Sequence, residues 1–304
     1  MIAHLYITPE SFYNNAKFSM QDIEEKIFSL SDDVINIERF KDTNKLYTNF
    51  DSIYKQDFYL KFTVYDFICE PQIVKQTVDR DIVNAFQKIF EKASDTKISS
   101  QEVIEELLDW HNENECNGLI AFHIIPEIDV SLQLIYNISG WHKFRSHFLG
   151  LYPKNNIFFI EECKKYLPKI FFHENTKTSV AQILSDFSIS IIRHLQHLNY
   201  TFYGYKDRSF SNETIKYQTF TSECKLEAKA ASKDSNDAKE QLTYTFHDNN
   251  GNIQSITCYP HLRLCKSDVS GDTHYYQHRI YFHEGLPNIQ NGKILVPHIG
   301  VHRP

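Results

Sequence analysis

Between positions 274 and 304 the sequence HYYQHRIYFHEGLPNIQNGKILVPHIGVHRP sets His274, His278, His283, His298 and His302 beside Arg279, Tyr281, Lys293 and Arg303. With His247 and His261, this C-terminal stretch holds seven of the fifteen histidines. Imidazole is the side chain whose ordinary pKa lets it gain or lose a proton near neutrality. A neutral histidine can take the proton of a ribose 2′-hydroxyl, a protonated one can deliver a proton to the leaving oxygen, and Arg or Lys can stabilise the charge growing on the phosphoryl group. These residue types suit phosphodiester cleavage without a metal. His278, Arg279, Tyr281, His283, His298 and His302 are therefore the candidate catalytic residues. Lys293 and Arg303, together with Lys143 and Arg145 of WHKFRSHF, are the candidate nucleic-acid ligands, because basic side chains position phosphates. The same inventory also suits a half-exposed sheet that carries histidine and tyrosine for structural reasons, and both readings stay open.

Other arrangements are weaker. His298-x-x-x-His302 has the spacing of two metal ligands on one helix face, but Pro297 and Gly300 oppose a helix and no H-E-x-x-H pattern is present. No metal site and no cofactor is expected. RHLQH at 193–197 falls short of the R-x4–6-H spacing of HEPN ribonucleases, and His194 lies seven residues after Phe187 on an apolar face, which reads as a packed histidine. No G-x-x-x-x-G-K-[ST], G-x-G-x-x-G or G-x-S-x-G stands in the chain, so ATPase, dinucleotide-binding and hydrolase readings lack their motifs.

The elements that must position the C-terminal residues read as strands. Alternation places Tyr276, His278, Ile280 and Phe282 on one face of YYQHRIYFH and Gln277, Arg279, Tyr281 and His283 on the other. In KILVPHI the same rule aligns Ile294 and Val296 with His298, Gly300 and His302. Pairing of the two strands through EGLPNIQNG would let a face with His278 meet one with His298 or His302. Upstream, Asn249-Asn250-Gly251 signals a hairpin, IKYQTFTS (215–222) alternates as a strand, and the polar segment 223–241 is a helix or a loop. Helical periodicity is expected over PQIVKQTVDRDIVNAFQKIFEKA, SGWHKFRSHFLGLY, NNIFFIEECKKYL and TSVAQILSDFSISIIRHLQHL. Ser99 with Glu102 forms a capping box. DFYLKFTVYDFIC (57–69) reads as one long strand, and residues 2–7 and GLIAFHII (118–125) as two more. The sum is an α+β chain: an acidic mixed region 1–118, a helical middle region 119–208 and a β-rich C-terminal meander 209–304.

HRIYFHEG…GKILVPHIGVH resembles the C-terminal signature of proteins from bacterial mobile-element and phage-defence neighbourhoods. The same hairpin is similar to the closing hairpin of RelE/ParE-type toxins. That second likeness implies RNA cleavage, with Arg279, Tyr281 and His298 as the positions to carry it. Each resemblance covers about 30 residues.

Charge divides the chain. Residues 1–118 carry 12 basic against 22 acidic side chains, whereas 119–304 carry 20 against 17. The acidic half is expected to bind a protein partner and the C-terminal region nucleic acid. The 304 residues, 41% apolar with 18 Tyr and 23 Phe, are enough for more than one core. Six scattered cysteines form no C-x-x-C pair, no run approaches the length of a membrane span, and the N-terminus MIAHLYITPE lacks a signal-like pattern. The expectation is a cytoplasmic bacterial defence- or toxin-type protein that engages nucleic acid and for which metal-independent nuclease chemistry, on RNA before DNA, is the candidate activity. A non-catalytic adaptor or regulatory subunit of an antiphage complex is the alternative.

Overall fold

A computed structural model describes residues 1–12, 18–126, 128–129, 132–205, 208–231 and 240–303. The fold is α+β, and the chain forms two compact units, residues 1–144 and 145–304. No helix among the described residues is long and apolar enough to cross a membrane.

In the first unit the elements run β1 (Ile2–Ile7), a 3-10 turn (Pro9–Phe12), α1 (Met20–Glu38), β2 (Asn44–Thr48), α2 (Phe50–Ile53), β3 (Asp57–Tyr59), β4 (Phe62–Thr63), α3 (Val64–Cys69), α4 (Pro71–Val74), α5 (Arg80–Phe90), β5 (Ser94–Asp95), α6 (Ser100–Glu102) with a π turn over Val103–Leu107, β6 (Glu115–Ile120) and β7 (Leu134–Ile135). Five strands form one sheet in the order β5-β2-β1-β6-β7, every pair parallel. Winding reverses at β1, so the connections cover both faces, as parallel sheets require. On one face α1 buries Ile27, Leu30, Val34 and Ile37, the i, i+3, i+7, i+10 stripe of an amphipathic helix, and packs on α5. On the other face Val103 and Leu108 close over Tyr6, Leu119 and Leu134.

Sheets of this order bind nucleotides in the crevice at the carboxyl ends of the two strands where winding reverses. Here Thr8-Pro9 replaces the glycine turn and the crevice is filled. Phe12 meets Phe58 at 5.5 Å and Phe122 at 5.3 Å between ring centroids, Phe58 meets Phe86 at 4.6 Å, and the Phe122 N–H donates to the Ser11 carbonyl at 3.0 Å. The glycine motif is missing from the sequence, and among the described residues these aromatic rings occupy the crevice.

Several sequence expectations are corrected in this unit. The long strand over 57–69 is a short hairpin followed by α3. Leu60 turns the chain at φ +54°, and Thr63 with Asp66 builds a reciprocal cap, the Asp66 N–H donating to Thr63 Oγ1 at 3.3 Å and the Thr63 N–H to Asp66 Oδ2 at 2.7 Å. The helix expected from Pro71 onward ends at Val74 and restarts at Arg80, because the Asp79 carboxylate accepts the Asp81 N–H at 2.7 Å and caps a new helix.

The second unit begins within α7 (Ile138–Leu151), which crosses the division, and continues with α8 (Asn156–Tyr166), β8 (Ile170–Phe172), α9 (Asn175–Val180), α10 (Leu184–Tyr200), a 3-10 turn (Phe202–Tyr205), α11 (Glu213–Glu223), β9 (Thr243–His247), β10 (Ile253–Thr257), β11 (His261–Leu264), β12 (His278–His283) and β13 (Ile294–Val301). The expected helix 178–198 is thus broken between α9 and α10. The expected strand 215–222 is helix α11: Asn212 caps it by accepting the Ile215 N–H at 2.9 Å, and Tyr217, Phe220 and Thr221 form its buried face. Of the polar segment 223–241, residues 232–239 lie outside the described residues. The Asn249-Asn250-Gly251 hairpin joins β9 to β10, with Gly251 at φ +87°.

A four-stranded sheet, in the order β11-β12-β13-β8, organises this unit. β11, β12 and β13 are antiparallel neighbours, and β8, from the expected helical middle region, pairs parallel with β13. On one face Leu262, Leu264, Ile280, Phe282, Ile294, Val296 and Ile299 pack against Phe187, Ile191, Leu195 and Leu198 of α10 in one buried cluster. On the other, Tyr244, Phe246 and Ile256 of the β9–β10 hairpin pack with Leu295 and Phe171. The sheet is covered on both sides.

Candidate functional site

The register of β12 against β13 decides which C-terminal residues meet. Tyr281 stands opposite His298 and His283 opposite Leu295, so between these pairs β13 spends one residue more than β12. The extra residue lies in Val296-Pro297, a β-bulge at the one residue that has no N–H to give to the ladder. Ile294, Val296 and Ile299 consequently share the α10 face, and His298 turns to the other. The alternation expected from sequence, with His298 aligned to Ile294 and Val296, is corrected by this bulge.

Three rings then line up across the sheet. His261 of β11 is in register with Tyr281 of β12, and Tyr281 with His298 of β13; centroid separations are 5.1 Å and 5.7 Å. All three are buried, at 1%, 0% and 5% exposure. The next row reads Arg263, Arg279 and Gly300, with no carboxylate among the three. Arg279 Nη1 donates to the His278 carbonyl at 3.0 Å, and the buried Nε of Arg263 has no hydrogen-bond partner. Arg279 is buried at 7% exposure and Arg263 is half-buried, while Tyr275, 67% exposed, accepts the Cys265 thiol at 3.3 Å.

The chain end closes over the ring row. Tyr281 Oη donates to the Arg303 carbonyl at 3.2 Å and accepts the Arg303 N–H at 3.3 Å, and Arg303 Nη1 donates to the Gln241 carbonyl at 3.4 Å. The His302 ring lies 6.5 Å from that of His261.

His298 has a defined tautomer. Its Nε2 is 3.0 Å from the Val301 carbonyl, which can only accept, so Nε2 carries the proton and Nδ1 presents its lone pair. Nδ1 is buried and has no hydrogen-bond partner. Burial pushes the His298 pKa down to about 4, against the opposing Val301 bond and with a smaller push in the same direction from Arg303. The imidazole is therefore neutral at pH 7. Gly300 leaves room for this ring: a Cβ there would lie 3.2 Å from His298 Nε2 and 2.7 Å from the Ser179 carbonyl oxygen.

The remaining sequence candidates are elsewhere. His278 lies on the α10 face, edge-on to Phe187 at 4.7 Å and stacked on Tyr276 at 5.4 Å, so it does not converge with His298. Burial, with a smaller effect of Arg279, holds its pKa below the usual histidine value. His283 accepts the Gly285 N–H on Nδ1 at 3.0 Å and serves the β12–β13 connection. Lys293 sits where that connection enters β13, half-buried. Lys143 is an exposed residue of the first unit. Arg145 is buried in the second, where Nε donates to Tyr166 Oη at 3.2 Å. His194 is packed, with Nδ1 2.7 Å from the Ser190 carbonyl. Among the described residues no group of three or more His, Cys, Asp or Glu side chains is arranged to hold a metal ion.

His261 and Arg263 were not among the sequence candidates. The signal was present as His261-x-Arg263, the same two-residue step as Arg279-x-Tyr281 and His298-x-Gly300. Without the register, nothing tied β11 to the last hairpin.

No family model, no curated protein and no solved structure matches the chain. The functional reading rests on the geometry.

Proposed function

We propose that the second unit binds the phosphate backbone of RNA along the row Arg263–Arg279 and cleaves it without a metal, using His298 as the base. The observation that carries the reading is the placement of two arginines directly opposite each other on adjacent strands. Facing guanidinium groups present planar forks of donors that suit charge-assisted hydrogen bonds to one phosphate. The neighbouring row supplies the acid–base groups: the His298 Nδ1 lone pair to take the 2′-hydroxyl proton, and His302, beside His261, to protonate the leaving oxygen. The resemblance to RelE/ParE-type hairpins points to Arg279, Tyr281 and His298, three residues of one face, and so supports the same chemistry. Because Tyr281 and His298 are buried, the Arg303 tail that covers them must lift for a ribose to reach Nδ1. The test is incubation of the purified protein with labelled RNA and DNA, with and without EDTA. Binding and cleavage of RNA unaffected by EDTA are expected. Full cleavage by His298→Gln, or unchanged RNA affinity in Arg263→Gln/Arg279→Gln, would overturn the assignment.

A second reading, an adaptor that binds a protein through the first unit, is favoured by α1. Its solvent face carries Phe28 and Ile35 one heptad apart, among Glu25 and Asp32. Purification from the host with partners attached, and loss of a partner in Phe28→Ser/Ile35→Ser, would support it.

A further inference from the structure

The first unit contains a cavity of about 270 Å³ that the C-terminal site does not use. Its lining has two parts. Leu5, Leu46 and Ile120 of β1, β2 and β6 form a floor with Val34 and Ile37 of α1, all branched aliphatic side chains. Around it stand Lys41 and Lys92, with Glu38 as the acidic member, while the side chain of Lys45, next to Leu46 in β2, points to the opposite face of the sheet. Lys92 is also 3.5 Å from Glu91. Two lysines against one carboxylate at this cavity stand out in a region where acidic side chains outnumber basic ones 22 to 12. Burial holds the Glu38 carboxyl above its usual pKa, with Lys92 opposing.

The chemistry of the lining selects a ligand class. Ligand sites bury an apolar body and orient it with a few polar groups. A nucleobase is a poor match, because the floor offers no ring to stack on, and Asn44, the one amide at the cavity, is occupied: Oδ1 accepts the Trp141 indole N–H at 3.2 Å and Nδ2 donates to the Phe40 carbonyl at 3.0 Å. The volume lies just below the roughly 300–1,000 Å³ of drug-sized sites. We infer that this cavity binds a small amphipathic anion, with an aliphatic chain on Leu5, Leu46 and Ile120 and a carboxylate or phosphate head held by Lys41 and Lys92. Lysine suits the rim, since its stem lies along apolar surface while the ammonium stays in water. The inference is independent of RNA cleavage, and either can fail alone.

Calorimetric titration of the full chain with octanoate, octyl phosphate and uncharged octanol tests it. Saturable one-to-one binding of octanoate or octyl phosphate is expected, with octanol at least tenfold weaker. The tighter of the two anions identifies the head. Lys41→Gln/Lys92→Gln, both surface changes, should weaken the anion roughly tenfold. Leu46→Trp, which fills the floor, should abolish binding while circular dichroism shows a folded chain. Absence of saturable binding by both anions, octanol binding as tightly as they do, or an unchanged affinity in the lysine variant would each overturn the proposal; the lysine variant keeps the test decisive if Leu46→Trp does not fold.

Discussion

Tyr281 and His298 face each other across β12 and β13, ring centroids 5.7 Å apart, with the tyrosine hydroxyl tied to the backbone of Arg303 and the imidazole to that of Val301. The two side chains are held by main chain, which fixes the tautomer that leaves His298 Nδ1 open. His298→Gln should therefore remove RNA cleavage by at least a hundredfold, the usual contribution of a positioned base, and leave the circular dichroism spectrum unchanged. His278→Phe, altering a ring on the opposite face, should leave cleavage within about twofold. The pair is read in a single-turnover assay, and equal losses in both would place the chemistry elsewhere.

Stability should depend on pH through the same histidine. An unfolded histidine titrates near 6.5, and the folded His298 at about 4. The folded state binds fewer protons between these values, so its contribution is fully present above pH 6.5 and is lost as pH falls toward 4. The span corresponds to a few kcal/mol, on the order of 3. His142, pushed down to about 4 by burial, contributes in the same window. Urea denaturation midpoints at pH 7.5 and 5 should differ less in His298→Gln than in the parent protein; an equal difference would show that His298 does not titrate as described.

The facing arginines make a paired prediction. Without nucleic acid, Arg263→Gln should stabilise the sheet by about 0.2–1 kcal/mol, the scale of a cross-strand pair. With RNA, the same change should weaken binding and lower the slope of log affinity against log salt by about one. Thermal melts and filter binding over a salt series measure the two effects. A less stable protein with an unaltered slope would make Arg263 a structural residue.

Two glycines in turns should respond differently to alanine. At Gly285, φ is +99° and a Cβ would meet the Lys293 carbonyl oxygen at 2.2 Å, a backbone atom that cannot step aside. At Gly251, φ is +87° but nothing lies within 4 Å. Gly251→Ala should cost about 1 kcal/mol, from φ alone, and Gly285→Ala on the order of 3 kcal/mol or more. Denaturant midpoints compare them directly.

What the sequence made legible was local. Alternation and turn chemistry located the β9–β10 hairpin and the two final strands, and apolar spacing located α8 and the stripe of α10 from Phe187 to Leu198. What it hid was set by single side chains or by distant pairing. Thr63 with Asp66 and Asn212 with Ile215 started helices inside stretches rich in β-formers, since a satisfied N-cap outweighs a weak strand propensity. The parallel sheet of the first unit was invisible because its strands are joined only through long crossovers. The ring row His261–Tyr281–His298 needed two registers, and one of them carries the bulge at Val296-Pro297.

That bulge makes β13 sensitive to the count of its residues more than to their kind. Substituting Pro297 with another residue keeps the count. Deleting it would remove the bulge and restore strict alternation with Ile294, Val296 and Ile299 still against α10 and His298 still in the ring row. In a scan of single-codon deletions, the last strand should thus split into two reading frames of side-chain direction, joined at Val296-Pro297, where the chain can give up a residue and leave both frames as they are.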